Sequence, residues 1–279
     1  MFLKKTLFAA TLLLSTTAFA QTAKLVLAKG QKYEVTTTMK TSSVASMMGQ
    51  DMENTLDNTT IETYEVKDTR ANETDLVKIV TKMKMNTQMM GQDMNYDSDS
   101  KDNSGPMAEG MDKMVGKIKN ITIDANGKII KQDKDAEEDV AQVGMMMAAS
   151  SSDGVAMVKP SFINKKFTVN SSWVDSSVND ADKLKSTTAG TYTVTSIEGN
   201  IASINFTGNQ RMSGTIEQMG QEMAMTGTSK VNTQIKFDIA SGLIIESIST
   251  VDGTSNIDAM GMSIPVTTKT TSATKVKML

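Results

Sequence analysis

The stretch MMGQDM occurs twice in this chain, and a near copy, QMGQEM, occurs once. Each copy stands between two long arms in which apolar and polar residues alternate, the period expected of half-buried β-strands. Glycine followed by a polar residue favours a type II′ turn, which matches the twist of the flanking strands. The pattern therefore predicts three long β-hairpins. The copies span 47–52, 89–94 and 218–223, and the predicted loops are Gly49-Gln50, Gly91-Gln92 and Gly220-Gln221.

A Gly49-Gln50 loop predicts that Met47 faces Met52 on one side of the pleat. A slip of one residue would send one arm's apolar side chains to the opposite face, so the alternation constrains the register. The equivalent predicted pairs are Met89 with Met94, Ile216 with Met225 and, in a degenerate fourth copy at 259–264, Ala259 with Ile264. The same alternation predicts that Val77, Ile79, Met83 and Met85 share this face and that Lys78, Lys82 and Lys84 point away.

The arms are long enough to define the architecture. They run roughly 12–18 residues, or about 40–60 Å as strands, longer than usual in a small sandwich. Residues 64–94 resemble residues 192–223 in strand and turn pattern, which suggests a duplication. We expect a mainly β fold in which one large curved antiparallel sheet, half-barrel or barrel-like, is built of long hairpins. Residues 21–279 would form one domain of two related halves, 24–160 and 161–279.

A different pattern interrupts the first half at about 105–150. GPMAEGMDKMVG has apolar residues at helical spacing, with Pro106 near the predicted start. DKDAEEDVAQVGMMMAAS has acidic residues in its first turn and an apolar face, as a second helix would. Between them, Asn126-Gly127 favours a type I′ hairpin turn. These patterns predict a small two-helix insertion around a short hairpin.

The first twenty residues resemble a secretory signal peptide. Lys4 and Lys5 precede a short apolar run, and Ala18-Phe19-Ala20 matches the small-x-small cleavage pattern. Cleavage near Ala20-Gln21 would export the protein to the periplasm or the extracellular space. No later run approaches the roughly 18 apolar residues of a spanning helix, so no transmembrane segment is expected.

Composition excludes several classes of function. The chain has no histidine and no cysteine, which removes Ser-His-Asp and Cys-His nucleophiles and the usual zinc sites. Its net charge is −3 and no basic patch stands out, so nucleic acid is not an expected partner. We therefore expect a protein that is not an enzyme and needs no cofactor or metal.

Methionine is unusually abundant, at 24 residues. Its unbranched thioether side chain fills irregular gaps, so packing at tapering hairpin ends is one interpretation. An adaptable apolar surface for a ligand or protein partner is a second. A thioether site for Cu(I) or Ag(I), with Met47 and Met52 sharing an ion, is a third. The methionines at the predicted tips are Met47, Met48, Met52, Met89, Met90, Met94, Met219, Met223, Met260 and Met262.

A curved sheet with a helical lid would suit a lipid-like small molecule. The candidate ligand-binding residues lie on the concave face and on the two predicted helices: Met83, Met85, Met107, Met111, Met114 and Met147. We expect an exported, non-catalytic protein that binds an apolar ligand or an envelope protein partner. A structural or scaffolding envelope protein without a small ligand is the alternative, and the oligomeric state stays open.

Several segments also carry a family resemblance. They are LAKGQKYEVTTT (27–38), FTVNSSW (167–173), GTYTVTSIEGNIASI (190–204) and FDIASGLI (237–244), together with the hairpin tips. With them, the chain resembles the domain-of-unknown-function 6263 family of exported Bacteroidota proteins. The family usually has a Gly-Asp pair before the tryptophan, where this chain has Ser171-Ser172. The resemblance implies an envelope or secreted location and no particular activity.

Overall fold

The computed structural model of the protein describes residues 21–47, 49–89, 91–103, 106–133, 155–181, 183–218, 221–259 and 262–279. The predicted signal peptide lies outside these residues. The strands are β1 Gln21–Thr22, β2 Lys32–Met47, β3 Gln50–Thr69, β4 Glu73–Met89, β5 Gln92–Asp97, β6 Ile118–Asp124, β7 Ile129–Gln132, β8 Lys166–Phe167, β9 Ser172–Ala181, β10 Leu184–Glu198, β11 Ile201–Gln218, β12 Gln221–Asp238, β13 Leu243–Ala259 and β14 Met262–Met278. The helix α1 spans Pro106–Asp112, and a 3₁₀ helix spans Pro160–Phe162.

Twelve of the described strands form one sheet in the order β7-β6-β4-β3-β2-β14-β13-β12-β11-β10-β9, with β5 beside β4. All of its pairings between strands are antiparallel, and β2 joins β14 to make the two halves continuous. In the described part of the chain β7 and β9 do not pair, so the sheet stays open. The prediction of a mainly β fold with one large antiparallel sheet of long hairpins is confirmed.

The sheet is strongly curved at the end opposite the Met-Gly loops, here called the base. Asn164 donates a hydrogen bond to Asn126 in the β6–β7 turn at 2.9 Å, and Ser161 donates one to Asp175 of β9 at 2.7 Å. A flat sheet would hold these two edges roughly 48 Å apart. Residues three apart in sequence reach at most about 11 Å. The sheet must therefore curl into a half-barrel for one segment to touch both edges.

The main core fills this base. Segments 21–30 and 155–167 cross it, and Ile244 donates its backbone N–H to Met157. Phe162 is fully buried, and its ring meets those of Trp173, Tyr192 and Phe237 edge-on at 5.0–5.5 Å. Such edge-to-face contacts are favourable beyond the apolar area they bury. The base thus holds the aromatic part of the core.

The predicted hairpin register is wrong by two positions. Met47 pairs with Gln50, and Ala45 pairs with Met52. The two residues between the paired strands are therefore Met48 and Gly49, and Gly49 takes the second loop position with φ of +80°. The same shift occurs in the other hairpins, where Met89 pairs with Gln92, Ile216 with Met223 and Ala259 with Met262. A shift of two residues keeps every side chain on its predicted face.

A β-bulge at Thr81 overturns the predicted faces of the first half of β4. Ile61 pairs with Lys82 and Glu62 with Val80, so Thr81 is an extra residue. One extra residue reverses the alternation on either side of it. Val77 and Ile79 therefore do not share the face of Met83 and Met85, and Lys78 does, opposite Tyr64. Lys82 and Lys84 point away as predicted.

The insertion differs in part from the prediction. Its first helix is present as α1 and ends at Asp112, and β6 and β7 form the short hairpin. Gly127 has φ of +83°, whereas Asn126 is not in the left-handed region. The turn is therefore not type I′, which needs positive φ at both residues. The predicted second helix, with Met147, lies outside the described residues. Within those residues, no helix has the length and apolar character needed to cross a membrane.

Candidate functional site

One face of the large sheet, here called the inner face, carries the buried side chains. Tyr33, Tyr64 and Val194 of this face belong to the main core at the base. Farther from the base, α1 packs on the same face over β3, β4 and β5. The opposite, outer face is lined mainly by exposed threonine, asparagine and charged side chains.

Beneath α1 lies a second apolar cluster, separate from the main core. This methionine cluster consists of Met83, Met85, Tyr96, Ala108 and Met111. The three methionines in it are only 1–2% exposed. The structure thus brings together four predicted ligand-binding residues, because Met114 also packs against the cluster, partly buried. The side chain of Met107 and the whole of Met147 lie outside the described part of the chain.

Polar contacts at and just after its C-terminal end hold α1 over the cluster. The Tyr96 hydroxyl donates a hydrogen bond to Asp112 Oδ1 at 2.7 Å. Burial, reinforced by this bond, raises the pKa of Tyr96, so the hydroxyl keeps its proton and remains a donor. After the helix, Gly116 donates its N–H to the Val80 carbonyl at 2.8 Å. These contacts therefore hold α1 to the sheet at its C-terminal end.

Two buried polar atoms stand out beside the cluster. Within the described residues, Asn58 Oδ1 and Thr60 Oγ1 have no hydrogen-bond partner, although the two residues are only 7% and 5% exposed. Buried polar groups are normally paired, so each such atom needs an explanation. Trp173 Nε1, at the base, is a third.

Asn58 and Thr60 are surrounded by methionine and threonine. Asn58 pairs with Met39 on one side and with Met85 on the other. Thr60 pairs with Thr37 and Met83. Sequence reasoning missed both residues. The alternation of β3 could have indicated them, because both residues lie on the same face as Leu56 and Tyr64, where an apolar residue is expected.

A charged group lies next along β3 on the inner face. Lys78 Nζ is 2.6 Å from Glu62 Oε1, and the Tyr64 hydroxyl donates to Glu62 Oε2 at 2.9 Å. Burial, followed by the charge of Glu62, raises the pKa of Tyr64 well above its usual value. Both carboxylate oxygens of Glu62 are therefore engaged within the protein.

The strand ends that flank the Met-Gly sequences lie at the end opposite the base, here called the rim. The last described pairs are Met47 with Gln50, Met89 with Gln92, Gln218 with Gln221 and Ala259 with Met262, and the antiparallel order brings all four to this end. Met47, Met52, Met94 and Met223 are half-buried, and Met262 is 41% exposed. Met48, Met90, Met219 and Met260 and the side chain of Met89 lie outside the described residues.

Two shallow grooves of about 530 and about 650 Å³ are lined largely by outer-face residues. Lys40, Asp57 and Lys269 belong to the first groove, and Arg211 and Asn256 to the second. Their polar character does not suit an apolar ligand. Among the described residues, no group of three or more Asp or Glu side chains could hold a metal ion.

Comparison with known proteins gives distant structural likenesses. No curated protein matches the sequence significantly. A structure of lipovitellin, described by its lipid–protein interactions, matches with a TM-score of 0.45 and 11% identity over 91% of this chain. The match spans only 25% of that protein. An outer membrane channel from Pseudomonas putida F1 matches with a TM-score of 0.32 and 9% identity, over 91% of this chain and 97% of the channel. At such low TM-scores we draw no inference from either likeness.

The sequence also matches a protein family over the middle of the chain. The match covers residues 71–244, from the turn before β4 to the start of β13. It therefore includes the bulged strand β4, the insertion and strands β8 to β12 of the second half. The chain belongs to the Family of unknown function (DUF6263).

Proposed function

We propose that the protein is an exported, non-catalytic binding protein that holds an apolar, lipid-like molecule on its inner face beneath α1. The methionine cluster carries this proposal. Methionines from β4 and from the insertion converge there, apart from the main core. Methionine repacks readily around different shapes, which suits a surface that must part to admit a ligand.

The helix α1 is suited to move away from the sheet. It has seven residues, and so short a helix depends on packing rather than on its own hydrogen bonds. Within the described residues, it contributes Ala108 and Met111 to the methionine cluster. Opening would exchange these contacts for contacts with the ligand, so the cost of opening is offset by binding.

One row of the inner face beyond the methionine cluster carries small side chains. They are Ser43 of β2, Thr268 of β14, Gly253 of β13 and Ser229 of β12. In the proposed complex, a chain that extends from the cluster would lie along this row.

Native mass spectrometry of protein purified from its own envelope, with titration of Nile red, an uncharged apolar dye, tests the proposal. We expect a co-purifying mass or saturable binding of the dye. Met111→Gln should weaken dye binding, whereas Met225→Gln, a half-buried methionine on the other half of the sheet, should not. A bare polypeptide mass together with no saturable dye binding would contradict the proposal.

A second candidate function is docking to an envelope protein through the rim. The observation that favours it is that the strand ends flanking the Met-Gly sequences all lie at one end of the sheet. Replacing Met52, Met94, Met223 and Met262 by serine should abolish cross-linking to envelope proteins and leave dye binding intact. Unchanged cross-linking in this variant would exclude the rim as the docking surface.

A further inference from the structure

We infer that the site beneath α1 recognises an uncharged hydrogen-bond donor, a hydroxyl or an amide, at the head of the apolar molecule, through Asn58 Oδ1 and Thr60 Oγ1. The inference rests on the proposed function and adds the chemical class of the head group. It starts from the two buried oxygen atoms that have no partner within the described residues.

The two atoms are placed to act together. Asn58 and Thr60 are two residues apart on β3, so their side chains leave the same face about 7 Å apart along the strand. Burying a polar atom without a partner destabilises the fold, whereas a donor that reaches it restores the lost hydrogen bond. A small head group placed between them is within reach of both.

The surroundings disfavour an anionic head group. The flanking pairs Met39 and Met85, and Thr37 and Met83, carry no charge. On the inner face of β3 the nearest charge is Glu62, and Lys78 and Tyr64 already occupy its two oxygens. A carboxylate or phosphate would face the amide oxygen of Asn58 without a counter-charge, and burial of an unpaired charge is strongly unfavourable. An alcohol or an amide meets no such penalty.

A buried water is the competing occupant. A water needs two to four polar partners to be held in a protein interior, and it could bond to both oxygens. A water and a ligand head group can be distinguished by ligand affinity. If a water occupies the site, two ligands that differ only in a hydrogen-bond donor should bind equally well.

The experiment is displacement of Nile red from the full protein by tetradecanol and by its methyl ether, which has the same chain but no donor. We expect the alcohol to displace the dye at about fivefold to tenfold lower concentration, the difference that one neutral hydrogen bond makes. The double variant Asn58→Leu, Thr60→Val should remove this preference. Thr60→Val alone, which replaces an unpaired hydroxyl and is expected to fold, should reduce it.

Thr87→Val is the matched control, because the Thr87 hydroxyl is equally buried but already bonded to the Thr55 carbonyl. It should keep the preference for the alcohol. Equal displacement by alcohol and ether in the unaltered protein would overturn the inference and leave the proposed function standing. The absence of any dye binding would overturn the proposed function and the inference together.

Discussion

The Thr87 hydroxyl on β4 donates a hydrogen bond to the Thr55 carbonyl on β3 at 2.8 Å. Thr60, on the same inner face and equally buried at 5% exposure, has no such partner within the described residues. The two threonines therefore differ in their contribution to stability although their burial is the same.

We expect Thr87→Val to lower the free energy of unfolding by about 1 kcal/mol, because a made hydrogen bond is lost. Thr60→Val should leave it unchanged or raise it, since removing an unpaired buried hydroxyl removes a desolvation penalty. Urea denaturation of the two variants measures the difference. Equal losses would mean that Thr60 is bonded in solution.

The turn between β12 and β13 should be intolerant of a side chain. Gly242 has φ of +73°, and a Cβ there would lie 2.6 Å from the Lys24 carbonyl oxygen and 2.9 Å from the Leu25 Cα. We expect Gly242→Ala to cost about 3 kcal/mol, from backbone strain plus overlap. Thermal unfolding measures this cost.

Gly199 is the control for that prediction. Its φ is +61°, but a Cβ there meets nothing within 4 Å. Gly199→Ala should therefore cost only the strain, about 1–2 kcal/mol. A loss as large as that of Gly242→Ala would show that contact with the N-terminal segment is not the cause.

Alkaline pH should reveal the burial of all four tyrosines. Burial raises the pKa of Tyr33, and burial with a nearby carboxylate raises those of Tyr64, Tyr96 and Tyr192. The folded state therefore holds the neutral phenols. This contribution to stability is complete below the unfolded pKa of about 10 and is lost as pH rises through the higher folded values.

An absorbance titration at the tyrosinate band checks this expectation. We expect little tyrosinate in the native protein near pH 10, followed by a steep rise that coincides with unfolding by circular dichroism. Free titration of any one tyrosine at its ordinary pKa, with the fold intact, would contradict the burial described for it.

Removing the Tyr96 hydroxyl should weaken the attachment of α1 to the sheet. Tyr96→Phe deletes the hydrogen bond to Asp112 at the end of α1, worth about 1 kcal/mol. Amide hydrogen exchange should accelerate in residues 106–116. Tyr33→Phe, which deletes a bond to Gln31 at the base, should leave exchange in that segment unchanged. Equal acceleration in both variants would point to a global loss of stability instead.

In the long hairpins, the sequence predicted the face on which each side chain lies better than the residue with which it pairs across the strands. Met47 and Met52 share a face, as expected, but Met52 pairs with Ala45. Two registers that differ by two residues place every side chain on the same face, so alternation cannot separate them. The glycine at the second loop position decides between them, because Gly49 takes the positive φ there.

The sequence predicted the methionines of the candidate site but not the charged pair beside them. Helical spacing predicted that Met111 and Met114 share a face of the insertion, and alternation placed Met83 and Met85 on one face of β4. Met111 lies in α1, and Met114 follows its end and packs against the same cluster. The bulge at Thr81 has no such signal, because a single extra residue looks like an ordinary strand position. It brings Lys78 to the side of Glu62, which no local pattern indicates.

By itself, the sequence determined the mainly β class, the long hairpins, the shared faces of Met47 with Met52 and of Met83 with Met85, and the first helix of the insertion. These depend on periods of two and 3.6 residues, which neighbouring residues encode locally. The tertiary structure alone decided the bulge and the pairing of β2 with β14 that makes the halves one sheet. It also decided that Asn58 Oδ1 and Thr60 Oγ1 are buried with no hydrogen-bond partner among the described residues. Each of these depends on groups far apart in the chain, whose distances only the folded backbone sets.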